Sequence, residues 1–211
     1  MDIAAVHGRC VLISGGDFAA LPPRAPGDFV IACDCGVQWA AQAGIKPDLI
    51  VGDFDSYTGV LPADVPVIRL RPEKDDTDTM SAIRWALQEL QPSALLIGCA
   101  MGGRFDHAFA NIQAAAFAAA RGMPVTLLGA NETIWVQRGG YMRLPRREGV
   151  SLSVFALSNE CTGVTIRGTK YALDQAVLTN AFPLGVSNEW AADTAEIWVA
   201  QGLWMAVECR K

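Results

Sequence analysis

Pro47-Asp48-Leu49-Ile50-Val51-Gly52-Asp53-Phe54-Asp55-Ser56 joins a short apolar run, a glycine stop and two aspartates one residue apart. Leu49–Val51 suits a buried parallel strand, and Gly52 ends it. Side chains two apart on an extended chain point the same way, so Asp53 and Asp55 are expected to converge beyond the strand tip. That carboxyl edge is where ligands bind in open α/β sheets. Two like charges so placed either form a solvated turn or share a cation, and Mg²⁺ is the ordinary choice for oxygen ligands.

Two further junctions have the same character. Lys74-Asp75-Asp76-Thr77-Asp78 precedes apolar residues at Met80, Ile83, Leu87 and Leu90, which is helical spacing. Asp76 or Thr77 is expected to cap that helix. The helix dipole accounts for one or two acids there, and the third points to a metal–phosphate site. Gly98-Cys99-Ala100-Met101-Gly102-Gly103-Arg104-Phe105-Asp106-His107 follows the apolar run Ala94–Ile97. Its glycines permit close backbone approach, Arg104 offers a planar fork for phosphate, and Asp106 can cap the alanine-rich helix that follows.

Around these junctions the pattern changes once. Up to about residue 130, apolar runs at Cys10–Ile13, Phe29–Ala32, Asp48–Val51, Val65–Leu70, Ala94–Ile97 and Pro124–Leu128 alternate with helical stretches at Gly36–Ala43, Asp78–Leu90 and His107–Arg121. Such alternation predicts a parallel sheet with helices on its faces. Beyond it come β-prone runs at Glu132–Val136, Tyr141–Leu144, Ser151–Phe155, Val164–Arg167, Glu196–Ala200 and Leu203–Val207, with Gln201-Gly202 as a hairpin signal. The expected architecture is α/β: residues 1–130 as a parallel-sheet domain, to which the resemblance below adds ATP and Mg²⁺ binding, and residues 131–211 as an antiparallel β-sandwich.

The 211 residues carry a net charge of −5, which argues against nucleic acid or an anionic membrane as partner. Six cysteines are present without a CxxC pair or zinc-type histidine spacing, so free thiols in a reducing cytoplasm are expected. No basic leader or long apolar span is seen, so neither secretion nor a membrane anchor is expected.

The PDLIVGDFDS, KDDTD and GGRFDH runs, with Asn111 after the last and Ser187-Asn188 near the end, together resemble the thiamine pyrophosphokinase family. The resemblance implies transfer of a pyrophosphoryl group from ATP to the hydroxyl of thiamine, giving thiamine diphosphate and AMP, with Mg²⁺. It also implies a nucleotide domain, a β-sandwich domain and a homodimer whose sites form between subunits. Asp53, Asp55 and Asp78 are then expected at Mg²⁺ or its waters, and Asp34 at nucleotide or a metal water. Thr77 and Arg104 are expected at phosphate, and Gly15 and Gly16 are candidates to offer backbone N–H groups to ATP. Asp106 is expected to face thiamine, Ser187 and Asn188 to bond its aminopyrimidine, and Tyr171 to lie over the thiazolium or, alternatively, to fill the sandwich core. Cys35, Met80 and Thr169 depart from the family pattern. A diphosphokinase acting on a pterin-like alcohol and a non-catalytic thiamine or nucleotide sensor are the competing readings.

Overall fold

The computed structural model describes residues 8–73 and 75–211, so Lys74 of the second acidic run lies outside the described residues. The chain divides into two units. The first takes the described residues up to Ala118 together with Val125–Ala130, and the second takes Ala119–Pro124 and Asn131–Lys211.

The first unit contains strands β1 (Arg9–Ile13), β2 (Phe29–Cys33), β3 (Leu49–Gly52), β4 (Val67–Arg69), β5 (Ala94–Gly98) and β6 (Val125–Leu128). Their order is β6-β5-β1-β2-β3-β4, and every neighbouring pair is parallel. The central strands are apolar along most of their length and buried almost throughout, as a sheet covered on both faces requires. Helices α1 (Gly36–Gln42), α2 (Asp78–Trp85) and α3 (Phe105–Ala120) connect them. The helix expected to reach Leu90 changes at Ala86 into a π turn, which Gln91 ends in the left-handed region at φ 48°. Strand order reverses beside β1, whose neighbours are β2 and β5, so the crevice beyond its carboxyl end is the natural ligand position.

Ion pairs secure the opposite, amino edge of this sheet. Arg9 forks onto the buried Asp28 at 3.0 and 2.6 Å, and holds that carboxyl below the usual carboxylate range. Asp48 accepts from the Val30 N–H at 2.8 Å and pairs with Arg24.

The second unit is antiparallel, with β7 (Glu132–Pro145), β8 (Val150–Ala156), β9 (Glu160–Arg167), β10 (Leu173–Thr179) and β11 (Thr194–Arg210). Two expectations fail here. Glu132–Val136 and Tyr141–Leu144 are parts of one strand, and Gln201-Gly202 is not a hairpin turn, because β11 continues through it. Gly139 and Gly140 (φ 52° and 88°) and Gly202 (φ 113°) lie where the β7–β11 register shifts, between Val199 and Leu203. Paired glycine distortions bend both strands together instead of reversing either. Trp204, wholly buried, donates its indole N–H to the Gly139 carbonyl at 2.9 Å and fastens the bend.

Beyond the bend β11 changes partner, pairing with β9 before it and β8 after it. Leu152, Val154, Val164, Ile166, Ile197, Val199 and Trp204 form the core. Strand β10 was not expected. It is an outer strand with two register irregularities and mostly exposed side chains, so it lacks the apolar alternation that identifies a strand. Among the described residues no helix is long and apolar enough to cross a membrane.

Gly36 opens α1 against the sheet, and a Cβ there would fall onto the Ile13 carbonyl. Gly36→Ala should therefore destabilise by about 3 kcal/mol through overpacking. Gly122→Ala, at φ 84° but with open space around it, should cost only about 1 kcal/mol. Urea denaturation of the two variants checks the ranking.

Candidate active site

Three carboxylates beyond two strand tips of the first unit supply the acidic centre. Asp34 leaves β2 in the left-handed region (φ 45°), with its N–H bonded to the Val51 carbonyl at 3.0 Å. Gly52 makes this packing possible, since a Cβ on it would lie 3.2 Å from the Asp34 backbone. Asp53 and Asp55 follow β3, but the chain between them is not extended. Phe54 has φ 62°, and the Asp55 N–H folds back toward Asp53 Oδ1 at 3.3 Å. The carboxylates thus converge through a strained turn, not through the alternation of a strand. One oxygen each of Asp34, Asp53 and Asp55 lies within 4.8 Å of the others. Asp34 Oδ1 is buried and accepts no hydrogen bond. A buried carboxylate oxygen left without a donor is costly unless a cation meets it, so the donor set fits a hard divalent ion.

Asp78 is not one of that trio. It opens α2 immediately after Thr77, and its charge reaches the Cys33 and Cys35 thiols, which also feel Asp34. Burial first, then these carboxylates, pushes the Cys35 thiol up to about 11. Thr77 is the helix cap, accepting the Met80 N–H at 3.1 Å, so its hydroxyl already serves the backbone. Asp76 is instead paired with Arg84 at 2.6 Å. The buried hydroxyls of Ser14 and Thr79 meet at 2.8 Å and tie α2 to the end of β1. That tie was missed. Its only sequence signal was a serine directly after the apolar run Cys10–Ile13.

The loop after β1 is laced to the loop after β5. Gly16 and Asp17 donate their N–H groups to the carbonyls of Cys99 and Met101, each at 2.8 Å. Gly16 is therefore engaged and does not offer its N–H to a phosphate. A Cβ on it would lie 2.5 Å from the Met101 carbonyl oxygen, so close packing is what requires glycine there. Gly15 is exposed. Asn111, buried on α3, donates to the Ala100 carbonyl at 2.7 Å and steadies the same loop. Arg104 forks onto Asp106 at 3.1 and 2.5 Å, with both side chains in water. The pair holds the Asp106 carboxyl below its ordinary range. Asp106 lies within the first turn of α3 and accepts the next residue's N–H, so it does not occupy the cap position itself. An exposed pair of this kind is weakly held and readily exchanged for another anion.

In the second unit, Tyr171 is 61 % exposed, which rules out the core reading. Asn188 is buried and pinned to it. Asn188 Oδ1 accepts from the Tyr171 and Glu189 N–H groups at 3.0 and 2.9 Å, and Nδ2 donates to the Tyr171 carbonyl at 2.7 Å. These bonds give the Asn188 side chain a fastening role. Ser187 is exposed, in the left-handed region at φ 55°, and its N–H donates to Ser153 Oγ at 3.0 Å.

A carboxylate cluster at the carboxyl edge of a parallel sheet, with an exposed arginine on another loop of that edge, is the layout of enzymes that move phosphoryl groups under charge neutralisation. Comparison with known proteins narrows the class. Residues 25–127 match the catalytic-domain model of thiamin pyrophosphokinase, and residues 141–204 match its vitamin B1 binding domain. A thiamine pyrophosphokinase of Bacillus subtilis is 29 % identical over 179 residues, covering 82 % of this chain and 83 % of that protein.

A crystal structure of thiamine pyrophosphokinase from Bacillus subtilis superposes with a TM-score of 0.84 at 25 % identity, covering 96 % of this chain and 99 % of that one. A thiamin pyrophosphokinase family protein of Enterococcus faecalis gives 0.79 at 26 %, covering 97 % and 100 %. The thiamin pyrophosphokinase of Candida albicans, at 16 % identity, shares the fold with a TM-score of 0.73 over 96 % of this chain and 89 % of that one. The chain belongs to the thiamin pyrophosphokinase family, and its reaction is the ATP-dependent transfer of a pyrophosphoryl group to thiamine. A vitamin B1 model over the second unit favours neither a pterin-like acceptor nor a sensor without chemistry.

Asn188→Ala leaves the Tyr171 N–H without its partner and removes the shorter of two bonds to the Tyr171 carbonyl, which keeps the Thr169 hydroxyl at 3.3 Å. It should lower stability by about 1–3 kcal/mol, whereas Ser187→Ala should leave stability nearly unchanged. Thermal denaturation of the two variants side by side distinguishes a fastener from a surface contact.

Proposed function

We propose that Asp34, Asp53 and Asp55 hold the Mg²⁺ ion of this reaction, with Asp78 beside them at the ion or its waters. The observation that carries the reading is the trio of converging carboxylates, one of whose oxygens, on Asp34, is buried with no donor. Bound there, Mg²⁺ supplies charge neutralisation for the triphosphate. Arg104 exchanges Asp106 for a phosphate oxygen, keeping its planar fork, and releases Asp106 toward thiamine. Thr77 keeps the first turn of α2 in place, so that its N-terminus faces negative charge. Gly15 contributes backbone alone. The carboxylates and the capped first turn of α2 are fixed before substrate arrives, and only Arg104 and Asp106 change partner; such preorganisation is how a protein lowers the barrier to a transfer that needs little covalent help.

In this reading the first unit is the nucleotide domain and the second a β-sandwich that takes thiamine. Exposed Tyr171 offers a phenol face to the cationic thiazolium, and Ser187 a hydroxyl to the aminopyrimidine. Asn188 acts by holding Tyr171. The protein works as a homodimer in which the first unit of one subunit and the second unit of its partner complete each site. Six free cysteines suit a cytoplasmic setting, and no nucleic acid or membrane partner is proposed.

Asp53→Asn or Asp55→Asn should lower turnover about a hundredfold or more with the fold intact, since one group facing a transferring phosphoryl typically contributes that much. Mg²⁺ titration of each variant is the check, and wild-type turnover with an unchanged Mg²⁺ requirement removes that residue from the site.

Mixing an inactive Asp53→Asn chain with an inactive Tyr171→Ala/Ser187→Ala chain should restore about a quarter of wild-type activity. Half of the randomly exchanged dimers are mixed, and each has one intact site. Tagged pull-down confirms exchange, and confirmed mixed dimers without activity would place each site within one chain.

A further inference from the structure

We propose that Arg69 holds the terminal phosphate of ATP, with the Phe54 ring as the shelf that positions it. The inference rests on the carboxylate trio being the site of Mg²⁺ and the polyphosphate.

Arg69 ends β4 opposite Gly52, the last residue of β3. The Leu70 N–H donates to the Gly52 carbonyl at 2.9 Å, which carries the pairing to the strand tips. Phe54, turned back at φ 62°, lays its ring beside Gly52, where a Cβ would lie 3.3 Å from the ring carbon Cε1. The ring is half-buried against the core of the first unit. Over it lies the exposed Arg69 guanidinium, its carbon 5.1 Å from the ring centre. The ring attracts the charge but offers the N–H donors no oxygen, so the fork remains available to an anion. Among the described residues Arg69 forms no ion pair, whereas Arg9, Arg24, Arg84 and Arg104 each hold a carboxylate.

Strand order turns this placement into a role. A nucleoside belongs in the crevice at β1, the tips of β2 and β3 carry the trio, and β4 comes next, about 4.8 Å farther on. A triphosphate running along this edge from β1 meets the ion at the trio and ends at Arg69. Arg104 stands on the other flank, after β5. Transfer to thiamine breaks the bond between the α and β phosphates, so the terminal phosphate is carried over intact. It has to be held, and a planar charged fork does that. The consequence is a preference for triphosphate over diphosphate.

The test is calorimetric binding of α,β-methylene-ATP, which cannot be cleaved at the reacting position, and of ADP, each with Mg²⁺. Arg69→Ala should weaken α,β-methylene-ATP about tenfold and ADP less than about twofold. Arg69→Lys should stay within about threefold of Arg69→Ala, because lysine lacks the fork. Phe54→Leu should lower the ratio of the two affinities about threefold, a readout that a loss of packing alone would not move. Thermal denaturation should show Arg69→Ala as stable as the wild type.

Equal weakening of both nucleotides by Arg69→Ala would overturn the terminal-phosphate role, and an unchanged ratio in Phe54→Leu would overturn the shelf. Asp53→Asn separates this inference from the ion site beneath it. If Asp53→Asn weakens Mg²⁺-dependent binding of both nucleotides while Arg69→Ala changes neither, the ion site stands and Arg69 is only a surface contact. If Asp53→Asn changes neither nucleotide, the ion site falls and the inference with it.

Discussion

Like charge held at close range organises the first unit. Asp34, Asp53 and Asp55 bring three carboxylate oxygens within 4.8 Å of one another, an arrangement that repels itself in the absence of a cation. The surrounding fold keeps the groups together. Asp34 and Phe54 adopt left-handed backbone, Gly52 clears space for Asp34, and the Asp34 N–H is tied to β3. The two left-handed residues cost stability locally and are supported by that hydrogen bond and by a sheet whose central strands are almost wholly buried. At the other edge of the same sheet, Asp28 and Asp48 have arginine partners. The two edges therefore differ in kind: one is electrostatically closed, and the other is prepared for an ion and a polyphosphate.

Much of this was legible from residue order alone. Apolar runs followed by glycine and aspartate located the tips of β2, β3 and β5, because a parallel strand buried on both faces leaves polar residues nowhere to go but its end. The convergence of Asp53 with Asp55 was expected for the wrong local reason. Alternation along a strand would have sufficed, but the chain turns at Phe54 instead, and a non-glycine residue at positive φ has no sequence signature. Asp106, Thr77, Gly16 and Asn188 illustrate a second limit. Each was read by the ligand it might hold, and in the structure a nearby backbone or side-chain group in the protein already engages it. Sequence shows that a group is polar and where the chain is turning, but not which neighbour has reached it first.

The second unit was less readable because its punctuation is ambiguous. Gly139-Gly140 and Gln201-Gly202 look like turns when each stretch is read alone. Glycine permits reversal and bending equally, and what decides is whether the partner strand yields at the same place. Here both do, and Trp204 closes the bend with its indole N–H. Strand β10 went unseen for the opposite reason, since an outer strand with mostly exposed side chains carries almost no apolar signal.

The position of β11 governs when this unit can exist at all during synthesis. It is the last strand to be made, yet β7, β8 and β9 all hydrogen-bond to it, and β9 in turn holds β10. Until Thr194–Arg210 has emerged, those earlier strands are left with open edges and a core that lacks Ile197, Val199 and Trp204. The strands of the first unit have all appeared by Leu128. A nascent chain therefore passes through an interval in which the described strands of the first unit are all present while the second has its β9–β10 pair but β7, β8 and β9 lack their β11 partner. Such edges are open to pairing with other chains, and holding them back from aggregation falls to chaperones or to rapid completion of synthesis.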